Sequence, residues 1–364
     1  MDVGVIIAAI LATAALIGGM SYDRRRRRER GALAAAVHGT YDAWRSEIHL
    51  VREGLTITVA FRRARSGSWT DVTALGVRPI GLSLALGSPH RLLDKLADAL
   101  GRHEVETGDA AFDRAYRITS NDADLARAWL NAGLRRRIAA VANYGFRLAD
   151  GTLTARRDGH LRNPHELKAL LDAMTTLAGR GRALMIEWRK LAGALGAEPL
   201  PDRPLWEPGP VTRFEVGEGP GRVRVEVVRT ALPALVRSLH CTSTRVVRER
   251  PSSDEEFTIA AADAPAESPP AIDEASLEPL DLPALGERYR VRTRKAALTT
   301  ARLGPEVCAR LSALAPRRVT GGSSALWIDL PGLELSPERV REAMALADAL
   351  AAPVVEPVSV GPYR

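Results

Sequence analysis

Tyr116-Arg117-Ile118-Thr119-Ser120-Asn121-Asp122-Ala123-Asp124-Leu125-Ala126-Arg127-Ala128-Trp129-Leu130 has a counterpart 173 residues further on: Tyr289-Arg290-Val291-Arg292-Thr293-Arg294-Lys295-Ala296-Ala297-Leu298-Thr299-Thr300-Ala301-Arg302-Leu303. At that offset Tyr116 to Ala178 lies on Tyr289 to Ala351 without a gap, and the punctuation agrees better than the identities. Leu303-Gly304-Pro305-Glu306 breaks the chain and restarts a helix with proline at its first position, where a missing N–H is no loss. The first copy has Leu130-Asn131-Ala132-Gly133 there. Leu134, Ile138 and Val141 then correspond to Val307, Leu311 and Leu314, the spacing of one helical face.

Turn sequences follow in both copies, Ala149-Asp150-Gly151 and Thr320-Gly321-Gly322-Ser323, each the middle of an expected hairpin. Asn163-Pro164 and Ser336-Pro337 then open the last helix with an N-cap and a proline. Its apolar stripe is Leu167, Leu170, Leu171, Met174 and Leu177 in one copy and Val340, Ala343, Met344, Ala347 and Leu350 in the other. Such a stripe needs a sheet or helix to bury it and reads as core.

Upstream of each block the period changes to two. Leu55, Ile57, Val59 and Phe61 line one strand face, as do Val223, Val225 and Val227, and further strands are expected at Thr70 to Val77, Ile80 to Leu86 and Val236 to Val247. The expected fold is therefore α+β, with an N-terminal transmembrane helix and two tandem modules of antiparallel sheet plus helices. The expected boundaries are an anchor over 1–30, a first module over 31–196, a Pro-rich linker over 197–210, a second module over 211–352 and a tail over 353–364. Glu249 to Pro283, rich in Pro, Ala, Ser and acidic residues, reads as a partly disordered insertion, a loop in the second module. Arg91 to Leu100 reads as a helix in the first, whose last helix runs on past Gly179-Arg180-Gly181 to Leu195.

Val3 to Met20 is an uncharged run of 18 residues, which as a helix covers roughly 27 Å, enough to span a bilayer. Arg24, Arg25, Arg26, Arg27, Arg28 and Arg30 follow it, and the short N-terminal side has no basic side chain. The positive-inside bias then places the arginines and the body in the cytoplasm and the N-terminus outside, a single-pass bacterial inner-membrane protein. A cleaved secretory signal, which would release a periplasmic envelope protein, calls for the opposite order of charges.

The net charge of +7 over 364 residues includes +3 from the first 30, leaving +4 for the rest. So small an excess, with 5% aromatic residues, argues against nucleic acid as a partner. Only Lys95, Lys168, Lys190 and Lys295 stand among the 51 basic residues, a bias that GC-rich coding explains. Two cysteines, Cys241 and Cys308, are too few for a disulfide framework and fit a reducing compartment.

Gly108-Asp109-Ala110-Ala111-Phe112-Asp113, followed by Tyr116-Arg117-Ile118 and a helix containing Arg137, resembles the Gly-Asp-x-x-Phe-Asp segment of a broad family of uncharacterised bacterial membrane-anchored proteins. The resemblance covers some 35 residues, implies an anchored topology and carries over no active site. The second copy has Asp281-Leu282-Pro283-Ala284-Leu285-Gly286 there, so both modules can fold without the motif.

No cofactor or metal site is expected. His160 and His165 lack the i, i+4 spacing that puts two ligands on one helical face, and His240 and Cys241 are strand neighbours pointing to opposite faces. Gly217-Glu218-Gly219-Pro220-Gly221 lies between strands and lacks the Lys-Ser/Thr of a phosphate loop, so it reads as a hairpin turn. Gly321-Gly322-Ser323-Ser324 duplicates an ordinary Asp-Gly turn. Cys308 matches Arg135 and is expected to be partly exposed, with no paired base to activate it. Asp109 and Asp113, four apart near a turn, are expected as caps or solvent-facing groups. The catalytic set is thus unassigned. The expectation is a membrane-tethered cytoplasmic binding or scaffold protein for a protein, peptide or lipid. The alternative is a hydrolase-like enzyme using Asp109, Asp113 or Cys308.

Overall fold

A computed structural model of the chain describes residues 21–77, 81–87, 103–141, 143–197, 209–232, 239–251, 253–264 and 272–353. The first module opens with a helix over residues 21–36 (α1). Strands Thr40–Asp42 (β1), Glu47–Arg52 (β2), Leu55–Ala64 (β3), Gly67–Leu75 (β4), Leu84–Gly87 (β5) and His103–Glu104 (β6) follow. Helix Ala110–Ala115 (α2), strand Arg117–Ser120 (β7) and the pair Ala123–Trp129 (α3) and Ala132–Ala139 (α4) come next. The hairpin Gly145–Ala149 (β8) and Thr152–Asp158 (β9) leads into helix Pro164–Ala194 (α5). The strands form one antiparallel sheet in the order β1-β2-β3-β4-β9-β8-β5-β7-β6.

The second module contains Gly209–Val216 (β10), Val223–Leu232 (β11), Leu239–Glu249 (β12), Phe257–Ala261 (β13), Glu278–Leu280 (β14) and Tyr289–Thr293 (β15). Helices Ala296–Arg302 (α6) and Pro305–Leu314 (α7), the hairpin Arg318–Gly321 (β16) and Ala325–Pro331 (β17), and helix Pro337–Ala351 (α8) complete it. Its sheet order is β10-β11-β12-β17-β16-β13-β15-β14, which is the order of the first sheet without β1. The repeat therefore extends through the whole sheet, and at the 173-residue offset β9 falls on β17 and α3 on α6, end to end.

Side chains repeat the same contacts. The buried Tyr116 hydroxyl donates to Ile138 O at 3.1 Å, and the Tyr289 hydroxyl donates to Leu311 O at 3.3 Å, donor and acceptor both shifted by 173. Trp129 Nε1 donates to Leu177 O at 3.2 Å, and Arg302, its equivalent, donates to Leu350 O. Each ties the α3-type helix to the last helix. Leu55, Ile57, Val59 and Phe61 are buried, as are Val223, Val225 and Val227, so alternation picks out the inner faces. Leu167, Leu170, Leu171, Met174 and Leu177 are fully buried, at about 1.5–3 kcal/mol each for the large ones.

Helix α5 continues through Gly179-Arg180-Gly181 without a break. The buried Arg180 donates to Trp129 O at 3.2 Å and Ala128 O at 3.0 Å, capping the end of α3, and pairs with Glu187. The distal turns reach the second module, where Trp188 packs on Phe214 with ring centroids 5.1 Å apart.

Three expectations are corrected. Among the described residues no helix is long and apolar enough to cross a membrane, so the transmembrane helix, the single-pass topology and the inner-membrane localisation are not supported. Val3 to Met20 lies outside the described residues. The helix that bears the arginines, α1, belongs to the first module: Leu33 and Ala34 are buried in its core, and Arg30 lies over the Phe61 ring at 4.5 Å. Second, part of 249–283 is sheet, because β13 pairs with β15 on one side and β16 on the other. Third, Cys308 is buried on α7, its Sγ 3.2 Å from Leu303 O. The expected Arg91–Leu100 helix and residues 198–208 of the linker lie outside the described residues.

Candidate functional site at the module junction

Asp122 begins the junction. It caps α3 by accepting Leu125 N–H at 3.0 Å on one carboxylate oxygen, a role its sequence position before Ala123 fits. The other oxygen crosses to the second module, accepting from Arg229 Nε on β11 at 3.1 Å and Thr242 Oγ1 on β12 at 2.7 Å. Arg229 also donates to Gly81 O at 2.9 Å. The pair is shut away from water, with side-chain exposures of 0% for Asp122 and 4% for Arg229. His240 N–H donates to Asn121 O at 2.8 Å, extending the seam along the backbone.

Two residues further along, at Asp124, the seam opens. Asp124 pairs with Arg127 at 2.8 Å and with Arg317 at 2.8 Å, and Arg317 also donates to the Cys241 sulfur. These groups line a cleft of about 700 Å³ between the modules, walled further by Glu104, His240, Asp263 and Arg288. Burial pushes the Cys241 thiol up to about 12, overriding the attraction of Arg317 for a thiolate, while Asp124 and Asp122 push the same way. A thiol so held is not a nucleophile near neutral pH.

The groups singled out from sequence fall elsewhere or act differently. Asp109 caps α2 through Phe112 N–H at 3.2 Å; that bond and the Arg135 guanidinium hold its carboxyl below the usual value. Asp113 accepts from Thr107 N and Oγ1, so both carboxylates shape the turn before α2. Burial raises the Cys308 thiol. His160 is a hydrogen-bond partner of Arg26, while His165 is exposed at the start of α5. His240 and Cys241 do both face the junction region, Cys241 toward Asp124. Among the described residues no group of three or more His, Cys, Asp or Glu side chains could hold a metal ion.

Gly217 to Gly221 connects β10 and β11 as a hairpin. At Gly321 a Cβ would lie 2.4 Å from the Phe257 ring, and at Gly322 one would lie 2.8 Å from Trp327, so these glycines clear aromatic rings. Of the arginine run, Arg25 pairs with Glu29 and Arg27 with Asp23 along α1, while Arg26 and Arg30 turn onto the body. Sequence reading missed Asp122, Asp124, Arg229 and Arg317. A signal existed: the repeat breaks at Asp122 and Asp124, where the second copy has Lys295 and Ala297.

No family model matches the chain, and no curated protein matches it. Among solved structures, the mycobacterial trehalose monomycolate transport factor A, TtfA, overlaps 48% of this chain and 99% of its own, with 12% identity and a TM-score of 0.29.

Proposed function

We propose that the chain is a binding protein and not an enzyme, and that the cleft between its two modules receives a polar segment of a partner protein. The observation that carries this reading is the cleft itself. Its walls set Arg127, Arg288 and Arg317 against Glu104, Asp124 and Asp263, and next to the lining residue Ala123 the buried Asp122–Arg229 pair ties the two modules together. A lipid chain entering there would strip water from these charges without replacing the hydrogen bonds, whereas peptide groups and polar side chains can supply them. The one thiol on the lining, Cys241, is kept protonated.

The test places a photo-crosslinking residue at Ala262, on the cleft, and for comparison at Ser66, in the distant β3–β4 turn. A discrete adduct from position 262 alone, lost when Arg127→Glu is added, is expected. The reading fails if neither position gives a specific adduct, or if the purified chain turns over ester, phosphate or peptide substrates and Cys241→Ser abolishes that turnover.

A further inference from the structure

A further recess, of about 210 Å³, lies where α1 crosses the end of the β9–α5 connection and is lined by Arg25, Arg26, Arg30, His160 and Arg162, with Glu29 as its carboxylate. Glu29 is engaged by Arg25 at 3.1 Å. Arg162 makes no ion pair among the described residues. Four arginines against one carboxylate give the recess an excess of positive charge.

Two of its groups are hydrogen-bond donors lacking acceptors. Arg30 is only 7% exposed; its Nη1 donates to Ser46 Oγ at 2.7 Å, but its Nη2 is buried and has no partner among the described residues. His160 lies 3.3 Å from Arg26 Nη2 through its Nε2. A guanidinium can only donate, so Nε2 must be the acceptor and the ring proton must sit on Nδ1. Burial, together with Arg30, Arg26, Arg162 and Arg63, holds His160 below its usual value, which keeps the ring neutral and that tautomer in place. Nδ1–H is buried and also has no acceptor among the described residues. A buried donor without an acceptor is costly, and two beside an unpaired arginine call for a ligand rich in acceptors.

We propose that this recess binds a phosphate-class oxyanion, held by the Arg30 Nη2 and His160 Nδ1 donors and by the Arg162 charge. Several oxygens on one centre satisfy donors arriving from different elements, and a guanidinium matches two of them at once. The same chemistry is offered by free phosphate and by a phosphate headgroup of a lipid.

Titration of the full chain with inorganic phosphate and with sulfate, followed by calorimetry, tests the proposal. Saturable binding at one site is expected, weakened at least tenfold by Arg30→Gln and by Arg162→Gln and unchanged by Arg28→Gln. Arg162 is exposed and outside the core, so its variant reports on binding even if Arg30→Gln disturbs packing. The His160 Nδ1 resonance should shift on saturation. Phosphatidylcholine vesicles with and without phosphatidic acid separate the two sources. Binding of the acidic vesicles that free phosphate displaces assigns a headgroup, and binding of phosphate without vesicle binding assigns the free anion. No saturable phosphate or sulfate binding, binding that both pocket variants leave intact, or vesicle binding that phosphate does not displace overturns the proposal.

Discussion

The Asp122 carboxylate accepts from the Arg229 guanidinium at 3.1 Å while capping α3 through Leu125, so one side chain begins a helix in one module and docks the other. Because both partners are buried, removing one strands the other's charge in the interior. Asp122→Ala is expected to lower stability by about 3–5 kcal/mol, read from the urea midpoint by tryptophan fluorescence. Asp122→Asn keeps an acceptor for the cap and should lose less. An unchanged midpoint in Asp122→Ala would show that the junction does not depend on the pair.

Alkali should loosen the same seam. The Cys241 thiol has a folded value of about 12 against an ordinary value of 9.0. Between those limits the unfolded chain ionises and the folded chain does not, so stability is complete below about pH 9 and falls as pH rises toward 12. Tyr144, raised by burial to about 12 from 10.0, adds to the loss at the upper end. The melting midpoint should decline over this window, and Cys241→Ser should flatten the earlier part of the decline. Alkylation at pH 8 should be slow in the native chain and fast in urea.

Gly321 sits against Phe257 with no room for a methyl group. Gly321→Ala should displace that ring from its fully buried place beside β16 and cost about 1–3 kcal/mol. Combining it with Phe257→Leu should recover part of the loss; a neutral Gly321→Ala would mean that the ring moves freely.

Arg302 holds Glu255 at 2.7 Å with both side chains buried, and also donates to Leu350 O in the last turn of α8 and to Ala352 O, its C-cap, at 2.6 Å. Arg302→Ala should therefore cost about 3–5 kcal/mol and raise hydrogen exchange at the C-terminal turn of α8. If only the midpoint falls and exchange there is unchanged, the helix end is held by other contacts.

Elements with a local signature were readable from sequence. Asn163-Pro164 and Ser336-Pro337 do cap α5 and α8, through Asn163 on His165 N–H and Ser336 on Arg339 N–H. Strand β13 was not readable, because Phe257-Thr258-Ile259-Ala260-Ala261 sits inside a Pro- and Ser-rich stretch. It is paired on both edges, with its first three residues buried, and shows no alternation. The arginine run misled for another reason. Counted as charge it reads as a collar, but Arg26, Arg30 and Leu33 are spaced i, i+4, i+7, which puts them on one helical face. The junction left no periodic trace, since Asp122 and Arg229 stand 107 residues apart. Only the departure of Asp122 and Asp124 from their counterparts marked it.

The distal turns of α5 bear on how the chain is made. Leu184, Trp188 and Leu191 are synthesised with the first half, but the ring that covers Trp188 belongs to Phe214. An N-terminal fragment that ends before β10 therefore lacks the ring against which that indole packs, and is expected to bind a hydrophobic dye more strongly than the full chain does.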